Sequence, residues 1–374
     1  MGKINNHRRC YLDHAASSPL RDVALSALTE AASLGANPSA LHTSGRRARA
    51  VLEDARDCLA ALLGAHPSEV VFTSGGSEAN SIAVLGSIAA RGAPGLVSAV
   101  EHPAVRAASA RNAGIWPVGT DGRVLLERVP AGRFSVISVM GVNNETGVRQ
   151  PIGDVVEVAR SRGAWAHSDA VQQAGHDAFD FASSGLDLAS VSAHKVGGPV
   201  GIGALLVRRE VKPEAIGLGG GQERELRSGT QPAMLAASFA AAMAEAVAQR
   251  EDAARRHLEW RERLLRVALA VPGTRSASAE APSSPHIVNV TFPGLRADDL
   301  LVLLDAQGID ASVGSACRAG VHQPSDVLLA MGRTAQEALS SVRFSFGHTT
   351  TEDDLARLLA VLPDAVARAQ AAYS

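Results

Sequence analysis

Short apolar runs alternate with helical patterns over residues 45–250, and this alternation limits the chain to few architectures. Each run is short enough to be a strand, and each is bounded by turn-forming or helical residues. The runs occupy 70–73, 96–100, 134–142, 164–168, 188–192 and 203–207. Because strands that alternate with helices form mainly parallel sheets covered by helices, the sequence predicts an α/β fold.

Four residues with polar or reactive side chains follow directly after predicted strands: His102, Asn144, Asp169 and Lys195. In an open α/β sheet, ligands bind at the edge where the carboxyl ends of the strands lie. We therefore expect these four side chains to line one ligand site.

A charged amphipathic helix at 249–268 marks a change of pattern along the chain. The segment behind it reads as α+β, and its strand at 341–346 alternates apolar and polar residues, so that Arg343 projects from the polar face between small serines. The expected division is a large α/β domain of residues 14–255 and a smaller α+β domain of residues 1–13 and 256–374.

Charge and composition exclude several function classes. With 36 basic and 38 acidic residues the net charge is −2, and aromatic residues make up 3%. These values favour neither a nucleic-acid partner nor an anionic membrane. The polar start of the chain does not read as a secretory signal. The longest apolar run, 234–247, carries Glu245 and is too short to span a bilayer, so we expect a buried helix there.

Cys10, Cys58 and Cys317 are odd in number and widely spaced. This spacing fits neither a disulfide framework nor a zinc site. A reducing cytoplasm is the simplest compartment, and it would keep a reactive thiol free.

Lys195 and Asp169 are the residue types that pyridoxal phosphate (PLP) chemistry requires. A lysine in a dry site loses its proton more easily and can form an imine. A carboxylate at the pyridine nitrogen keeps that nitrogen protonated, so that the ring accepts electrons. Gln172 offers a donor to the ring hydroxyl. Taken singly, a loop lysine in solvent and a helix-capping aspartate are alternatives.

The segment 73–78 reads Thr-Ser-Gly-Gly-Ser-Glu and follows a predicted strand. Its glycines and the hydroxyl of Ser77 suit a phosphate at a helix N-terminus, and Ser77 could also cap that helix. The glycine patterns of nucleotide and dinucleotide loops are absent. An ordinary strand-to-helix turn is the alternative.

Three further residues are candidates for chemistry on a sulfur substrate. Cys317 lies among small residues and precedes Arg318, which favours the thiolate. His102 can stack on a ring and move protons. Arg343, with Asn144, can bind a carboxylate as a fork. A buried inert cysteine, a structural histidine and an exposed arginine are the alternatives.

Read together, these segments resemble the cysteine desulfurases of the class V aminotransferase group. The matching segments are 11–16, 37–39, 72–78, 101–102, 142–145, 167–170, 192–195, 219–223, 227–230, 314–317 and 341–344. The resemblance runs almost end to end. It implies the PLP fold-type I architecture, with a mostly parallel seven-stranded sheet in the large domain and a smaller α+β domain.

The resemblance also implies a role for each matched residue. Lys195 would hold PLP covalently and act as the base, His102 would stack on the ring and handle thiol protons, and Cys317 would take the substrate sulfur as a persulfide. Asp169 and Gln172 would bind the ring, Asn144 would lie between ring and substrate, and Gly76, Ser77, Ser192 and His194 would hold the phosphate. Thr230 would reach the phosphate of the neighbouring subunit, which requires a homodimer. Asn37, Asn144 and Arg343 would bind the carboxylate of L-cysteine.

Some features narrow or depart from the family pattern. Ser77 stands where threonine is common, and Arg318 stands where a small polar residue is frequent. The short tail after the last predicted helix leaves the sulfur-acceptor protein open among iron–sulfur assembly, tRNA thiolation and a biosynthetic pathway.

The alternatives to a cysteine desulfurase are a PLP-dependent cysteine or selenocysteine lyase, a transaminase and a non-catalytic scaffold. A dehydrogenase would need a glycine fingerprint that we do not find.

Overall fold

A mostly parallel sheet forms the centre of the protein. The computed structural model describes residues 9–109, 112–314 and 323–373. Its strands are β1 Cys10–Tyr11, β2 Val70–Thr73, β3 Gly95–Ser98, β4 Ala113–Trp116, β5 Val136–Ser138, β6 Trp165–Asp169, β7 Leu188–Ser192, β8 Gly203–Val207, β9 Arg275–Ser276, β10 Ile287–Thr291, β11 Ile309–Asp310 and β12 Ser341–Ser345. Seven of them pair in the order β2-β8-β7-β6-β5-β3-β4. β8 pairs antiparallel with both β2 and β7, and the other pairings in this sheet are parallel. The predicted fold class is therefore confirmed.

The helices surround this sheet and a second, smaller core. They are α1 Asp22–Ala32, α2 Thr43–Leu63, α3 Gly76–Ser81, α4 Ser87–Arg91, α5 Pro103–Ser109, α6 Ile152–Ser161, α7 Phe181–Ser184, α8 Ala233–Ala268, α9 Ala297–Ala306, α10 Asp326–Ala330, α11 Ala335–Leu339 and α12 Glu352–Tyr373. A π-helical turn at Ile82–Gly86 joins α3 to α4. Among the described residues there is no helix with both the length and the apolar character needed to cross a bilayer.

Helix α8 connects the two cores. It contains 36 residues and packs against α1 and α2 through its first half. Trp260 and Leu264, in its second half, enter the smaller core. The buried helix predicted at 234–247 and the amphipathic helix predicted at 249–268 are therefore parts of one helix. The predicted boundary at residue 255 lies inside α8, and the division into domains stays a prediction.

The smaller core is built on two short sheets. The antiparallel sheet has the order β12-β10-β9, and β1 pairs with β11 in parallel. Val342 and Phe344 of β12 point into this core. The alternate residues on the strand are buried as well, and Arg343 is only 3% exposed. The polar face of β12 is thus covered rather than open to solvent.

The predicted strand bounds hold best where the chain is buried on both sides. β7 and β8 begin and end where the sequence predicts. The strand predicted at 134–142 is shorter, because β5 ends at Ser138 and the chain then turns back through a bridge between Val142 and Arg149. This early turn places Asn144 beside the carboxyl ends of the neighbouring strands.

Candidate active site

A cavity of about 400 Å³ lies at the carboxyl ends of the parallel strands, between the two cores. Residues of both cores line it, since Gly314 and Arg343 belong to the smaller one. The sequence-predicted residues that the structure brings to its wall are Gly76, Ser77, His102, Asn144, Asp169, Gln172, Ser192, His194, Lys195 and Arg343. Residues far apart in the chain thus share one site.

Lys195 ends the 3-10 turn Ala193–Lys195, which follows β7 directly. Its Nζ donates hydrogen bonds to the carbonyl oxygens of Ala15 and Ala16, both at 2.7 Å. Burial lowers the pKa of Lys195 to about 8, the Arg343 guanidinium adds to the shift, and nearby carboxylates oppose it. The amine is therefore closer to its neutral, nucleophilic form at pH 7 than an exposed lysine is.

Asp169 is the last residue of β6 and is 5% exposed. Its Oδ2 accepts a hydrogen bond from Asn80 Nδ2 at 2.7 Å, and its Oδ1 accepts one from the Val171 backbone N–H at 3.0 Å. Two donors on different oxygens hold the plane of the carboxylate. Asn80 was not predicted from the sequence, although it lies one helical turn after Gly76 and therefore on the same side of α3 as Gly76.

His102 lies just after β3 and is half-buried. Its Nδ1 accepts a hydrogen bond from the Ala104 backbone N–H at 3.1 Å, so the neutral ring carries its proton on Nε2. Burial lowers the pKa of His102, Asp169 opposes the shift and Lys195 adds to it. A neutral imidazole that carries its proton on Nε2 can donate to, or exchange protons with, a ligand in the cavity.

Arg343 extends from β12 into the cavity wall. Its Nη2 pairs with Asp13 Oδ1 at 2.6 Å, and its Nη1 donates to the Asn144 carbonyl oxygen at 2.8 Å. Its Nε is buried and has no hydrogen-bond partner among the residues that the structure describes. A guanidinium held in this way offers unused N–H groups to a carboxylate.

The two glycines between β2 and α3 meet different requirements: a positive φ at Gly75 and close packing at Gly76. Gly75 has φ 153°, and Gly203 of β8 passes so close that a Cβ on it would lie 2.8 Å from the Gly75 Cα. A Cβ on Gly76 would lie 2.8 Å from Val171 Cγ2. Helix α3 begins at Gly76 with Gly75 as its N-cap, so the cap that Ser77 could supply is not used. A side-chain-free turn at a helix start lets an anion approach the backbone N–H groups.

Two predicted site residues lie apart from the cavity, and two others fall outside the described residues. Asn37 is exposed, and its Oδ1 accepts a hydrogen bond from the Ser39 backbone N–H at 2.9 Å. Thr230 is exposed on the segment before α8. Cys317 and Arg318 are not among the described residues. A single chain therefore carries most, but not all, of the predicted constellation in one place.

Two buried carboxylic acids near the cavity were also missed, although each is a sequence neighbour of a predicted site residue. Burial raises the pKa of Glu101 to about 8, while Ser98 and Met140 donate hydrogen bonds to its Oε1 at 2.7 Å. Burial likewise raises the pKa of Glu145, whose Oε2 accepts a hydrogen bond from Ser325 at 2.5 Å. Glu101 is therefore largely uncharged at pH 7.

A group of histidines lies behind Lys195, comprising His14, His176, His257, His286 and His348. The Nε2 of His176 donates to the Lys195 carbonyl oxygen at 3.0 Å, and its ring stacks on that of His286 at 4.3 Å. Burial lowers the pKa of each member, to about 2 for His14 and to about 3 for His257. These rings are therefore neutral at pH 7.

We expect the protein to lose stability steeply as the pH falls below about 6.5, the usual histidine pKa. Below this pH the unfolded chain protonates His14 and His257 and the folded chain does not. The unfolded state then binds more protons, so the free energy of unfolding falls by about 1.4 kcal/mol per pH unit for each such histidine. Glu101, with its pKa raised to about 8, has the opposite sign and offsets one of them.

Urea unfolding at several pH values between about 7 and 5 measures this slope. His257→Asn should flatten the slope, because one of the titrating rings is then absent from both states. A free energy of unfolding that does not change over this range would contradict the prediction.

The fold and the site define the class of protein. A family model described as aminotransferase class-V matches residues 10–358. Since the match spans most of the chain, the chain belongs to the aminotransferase class-V family.

Similar proteins indicate which members of the aminotransferase class-V family this chain resembles. The chain is 42% identical to an IscS-like cysteine desulfurase of Mycobacterium tuberculosis, over 97% of each chain. It is 35% identical to a putative cysteine desulfurase IscS 1 of Bacillus subtilis, over 96% of this chain and 99% of that one. The predicted resemblance to the cysteine desulfurases is confirmed.

Solved structures agree with this assignment. A NifS-like protein of Rickettsia africae has a TM-score of 0.87 at 28% identity, with 96% of this chain and 99% of that one covered. SspA in complex with cysteine has a TM-score of 0.79 at 31% identity, with 91% and 99% covered. Both therefore share the fold over nearly the whole chain.

Proposed function

We propose that the protein is a PLP-dependent cysteine desulfurase that converts L-cysteine to L-alanine and transfers the sulfur to Cys317. One observation carries the proposal: Lys195, with its lowered pKa, shares a single cavity with the Asp169 carboxylate and the Arg343 guanidinium. Relatives of matching length that are named cysteine desulfurases support the same activity.

The cavity residues fit PLP. Within the described part of the chain, Ser192 Oγ, Gln172 Oε1 and Asn80 Oδ1 are buried without a hydrogen-bond partner, and all three residues line the cavity. An unpartnered buried polar atom costs about 1–3 kcal/mol, so a polar ligand that supplies partners is favoured here. A volume of about 400 Å³ also lies in the range of cofactor sites.

Most of the proposed contacts follow from this arrangement. Lys195 would hold the cofactor covalently, and Asp169 would pair its pyridine nitrogen. Gln172 Nε2 already donates to the Ala15 carbonyl oxygen at 2.8 Å, so its free Oε1 would accept from the ring hydroxyl rather than donate to it. The phosphate would be held by Gly76, Ser77, Ser192 and His194 of the same subunit and by Thr230 of the partner subunit. Asn144 would contact the cofactor ring. When bound, PLP supplies an electron sink for charge that develops at the substrate Cα.

The chain's own residues then move protons and position the substrate. Lys195 Nζ removes and returns the proton at the substrate Cα, because a pKa near 8 lets the amine do both near neutral pH. His102 Nε2 exchanges a proton with the substrate thiol. Arg343 and Asn144 bind the substrate carboxylate. Asn37, also predicted for this role, would have to approach from outside the cavity.

Sulfur leaves the substrate through Cys317. Its thiolate attacks the substrate sulfur, so that an S–S bond forms while the substrate C–S bond breaks and the electron pair stays with carbon. The substrate Cβ, which keeps the electron pair, then takes up a proton, and alanine leaves. The products are alanine and a Cys317 persulfide, so the step needs no external oxidant or reductant.

Cys317→Ala tests this route. The variant should lose nearly all formation of alanine from L-cysteine while keeping the absorbance of the bound cofactor. Cys58→Ala, which removes a half-buried free thiol elsewhere, is the matched control and should keep both. Continued release of alanine and free sulfide by Cys317→Ala would favour a PLP-dependent cysteine or selenocysteine lyase instead.

The partners complete the proposal. A homodimer would bring Thr230 of one subunit to the site of the other, in line with its exposed position on a single chain. An acceptor protein, in iron–sulfur assembly, tRNA thiolation or a biosynthetic pathway, would take the persulfide sulfur. A reducing cytoplasm would keep the Cys317 thiol free. Large and small domains dividing near residue 255 would place the cavity between them.

A further inference from the structure

Asp13 is the charged partner of Arg343, and it stands 330 residues away in the sequence. Its Oδ1 lies 2.6 Å from Arg343 Nη2, with side-chain exposures of 22% for Asp13 and 3% for Arg343. The main chain holds Asp13 in place, because Asp13 forms a parallel bridge with Ser345 on β12. The two side chains are therefore carried by adjoining segments of the smaller core.

The two partners differ in their relation to the cavity. Arg343 lines it, whereas Asp13 lies outside its wall. The Asn144 carbonyl oxygen accepts from Nη1 at 2.8 Å, so the end of the guanidinium is held at both nitrogens by the protein. The Nε–H is buried, and residues 9–109, 112–314 and 323–373 provide no acceptor for it. Since an unpartnered buried donor costs free energy, the guanidinium is ready for an anionic ligand.

We propose that Asp13 is a positioning residue that holds the Arg343 guanidinium in the orientation that recognises the α-carboxylate of the substrate. This inference rests on the proposed function, because it takes Arg343 as the carboxylate-binding group. An arginine side chain that is already immobilised loses less rotamer freedom when the substrate binds. Asp13 therefore acts through Arg343 on ligands that carry a carboxylate, whereas its weaker charge effect on Lys195 is common to all amine ligands.

The test compares L-cysteine with cysteamine, which has the same amine and thiol and no carboxylate. PLP-loaded wild type, Asp13→Ala and Asp13→Asn are titrated with each ligand, and the cofactor absorbance change gives the affinity independently of turnover. The KM and kcat for L-cysteine are measured in parallel. Asp310→Ala, which removes the carboxylate of an Asp310–Arg9 pair outside the cavity wall, is the matched control.

We expect Asp13→Ala to weaken L-cysteine binding and raise its KM by about three- to tenfold. Asp13→Asn keeps an oxygen acceptor for Nη2, so its loss should be smaller. Cysteamine affinity should change by less than about twofold, and Asp310→Ala should match wild type. If Asp13→Ala does not fold, a selective loss of L-cysteine affinity in Asp13→Asn supports the proposal by itself.

Equal losses for both ligands, or no change for L-cysteine in the variants that fold, would overturn the positioning role. Failure of the proposed function itself has a different signature. In that case the wild-type protein would form no alanine from L-cysteine and would show no cofactor absorbance change with either ligand.

Discussion

Lys195→Ala is expected to abolish the absorbance of the covalently bound cofactor after reconstitution with PLP and to slow alanine formation by about 10³-fold or more. The amine that it removes is the buried group whose pKa is lowered to about 8. Alanine at this position can neither hold the cofactor covalently nor exchange a proton with the substrate Cα. Absorbance spectra and alanine formation from L-cysteine measure the two losses.

Because the chain contains few lysines, the lysine that binds the cofactor can be identified by experiment. Lys3, Lys195 and Lys212 are its only lysines, so borohydride reduction followed by peptide mass spectrometry can locate the cofactor without ambiguity. Lys212 is exposed, and Lys212→Ala is the matched control that should keep both colour and turnover. A Lys195→Ala protein that keeps the wild-type cofactor spectrum, or a reduced cofactor on another residue, would refute the role of Lys195.

Glu223→Ala is expected to lower the free energy of unfolding by about 3–5 kcal/mol, as removal of one partner from a buried ion pair does. The Glu223 side chain is 1% exposed and accepts two hydrogen bonds from Arg56, at 2.8 and 2.9 Å. It also accepts one from the Phe72 backbone N–H of β2, at 2.7 Å. The variant leaves the Arg56 charge buried without this partner.

The backbone around Glu223 is strained and depends on the contacts of this side chain. Glu223, Arg224 and Glu225 are consecutive non-glycine residues with left-handed φ values of 47°, 59° and 64°. Each such residue costs about 1–2 kcal/mol, so the turn persists because its side chains are held. Without the Glu223 carboxylate, the turn loses its link to β2.

Glu53→Ala is the control for this prediction, because Glu53 also pairs with Arg56, at 3.0 Å, but is 45% exposed. An exposed pair contributes at most about 1 kcal/mol. Urea unfolding followed by circular dichroism compares the two variants with wild type. Equal effects of the two substitutions would show that the buried Glu223–Arg56 pair contributes no more to the free energy of unfolding than the exposed pair does.

The fold class and most residues of the cavity wall could be predicted from the sequence because the strands and their ends have distinct residue patterns. Buried parallel strands are short apolar runs, and polar residues at their ends stand out against them, as His102, Asp169 and Lys195 do. Asn80 and Glu101 were missed because each resembles an ordinary helix or strand-end residue. Their importance depends on what lies across the cavity, which local periodicity does not record.

The sequence by itself determined the α/β alternation, the positions of the strand ends and the residue types available for chemistry, since these depend on hydrophobic period and local side-chain character. Only the tertiary structure decided which charges meet: Arg343 with Asp13, Glu223 with Arg56, and Asn80 with Asp169. These contacts join segments that are distant in sequence, and their geometry follows from how the sheet, α8 and the smaller core pack together. The lowered pKa of Lys195 has the same origin, because burial is a property of the packed chain.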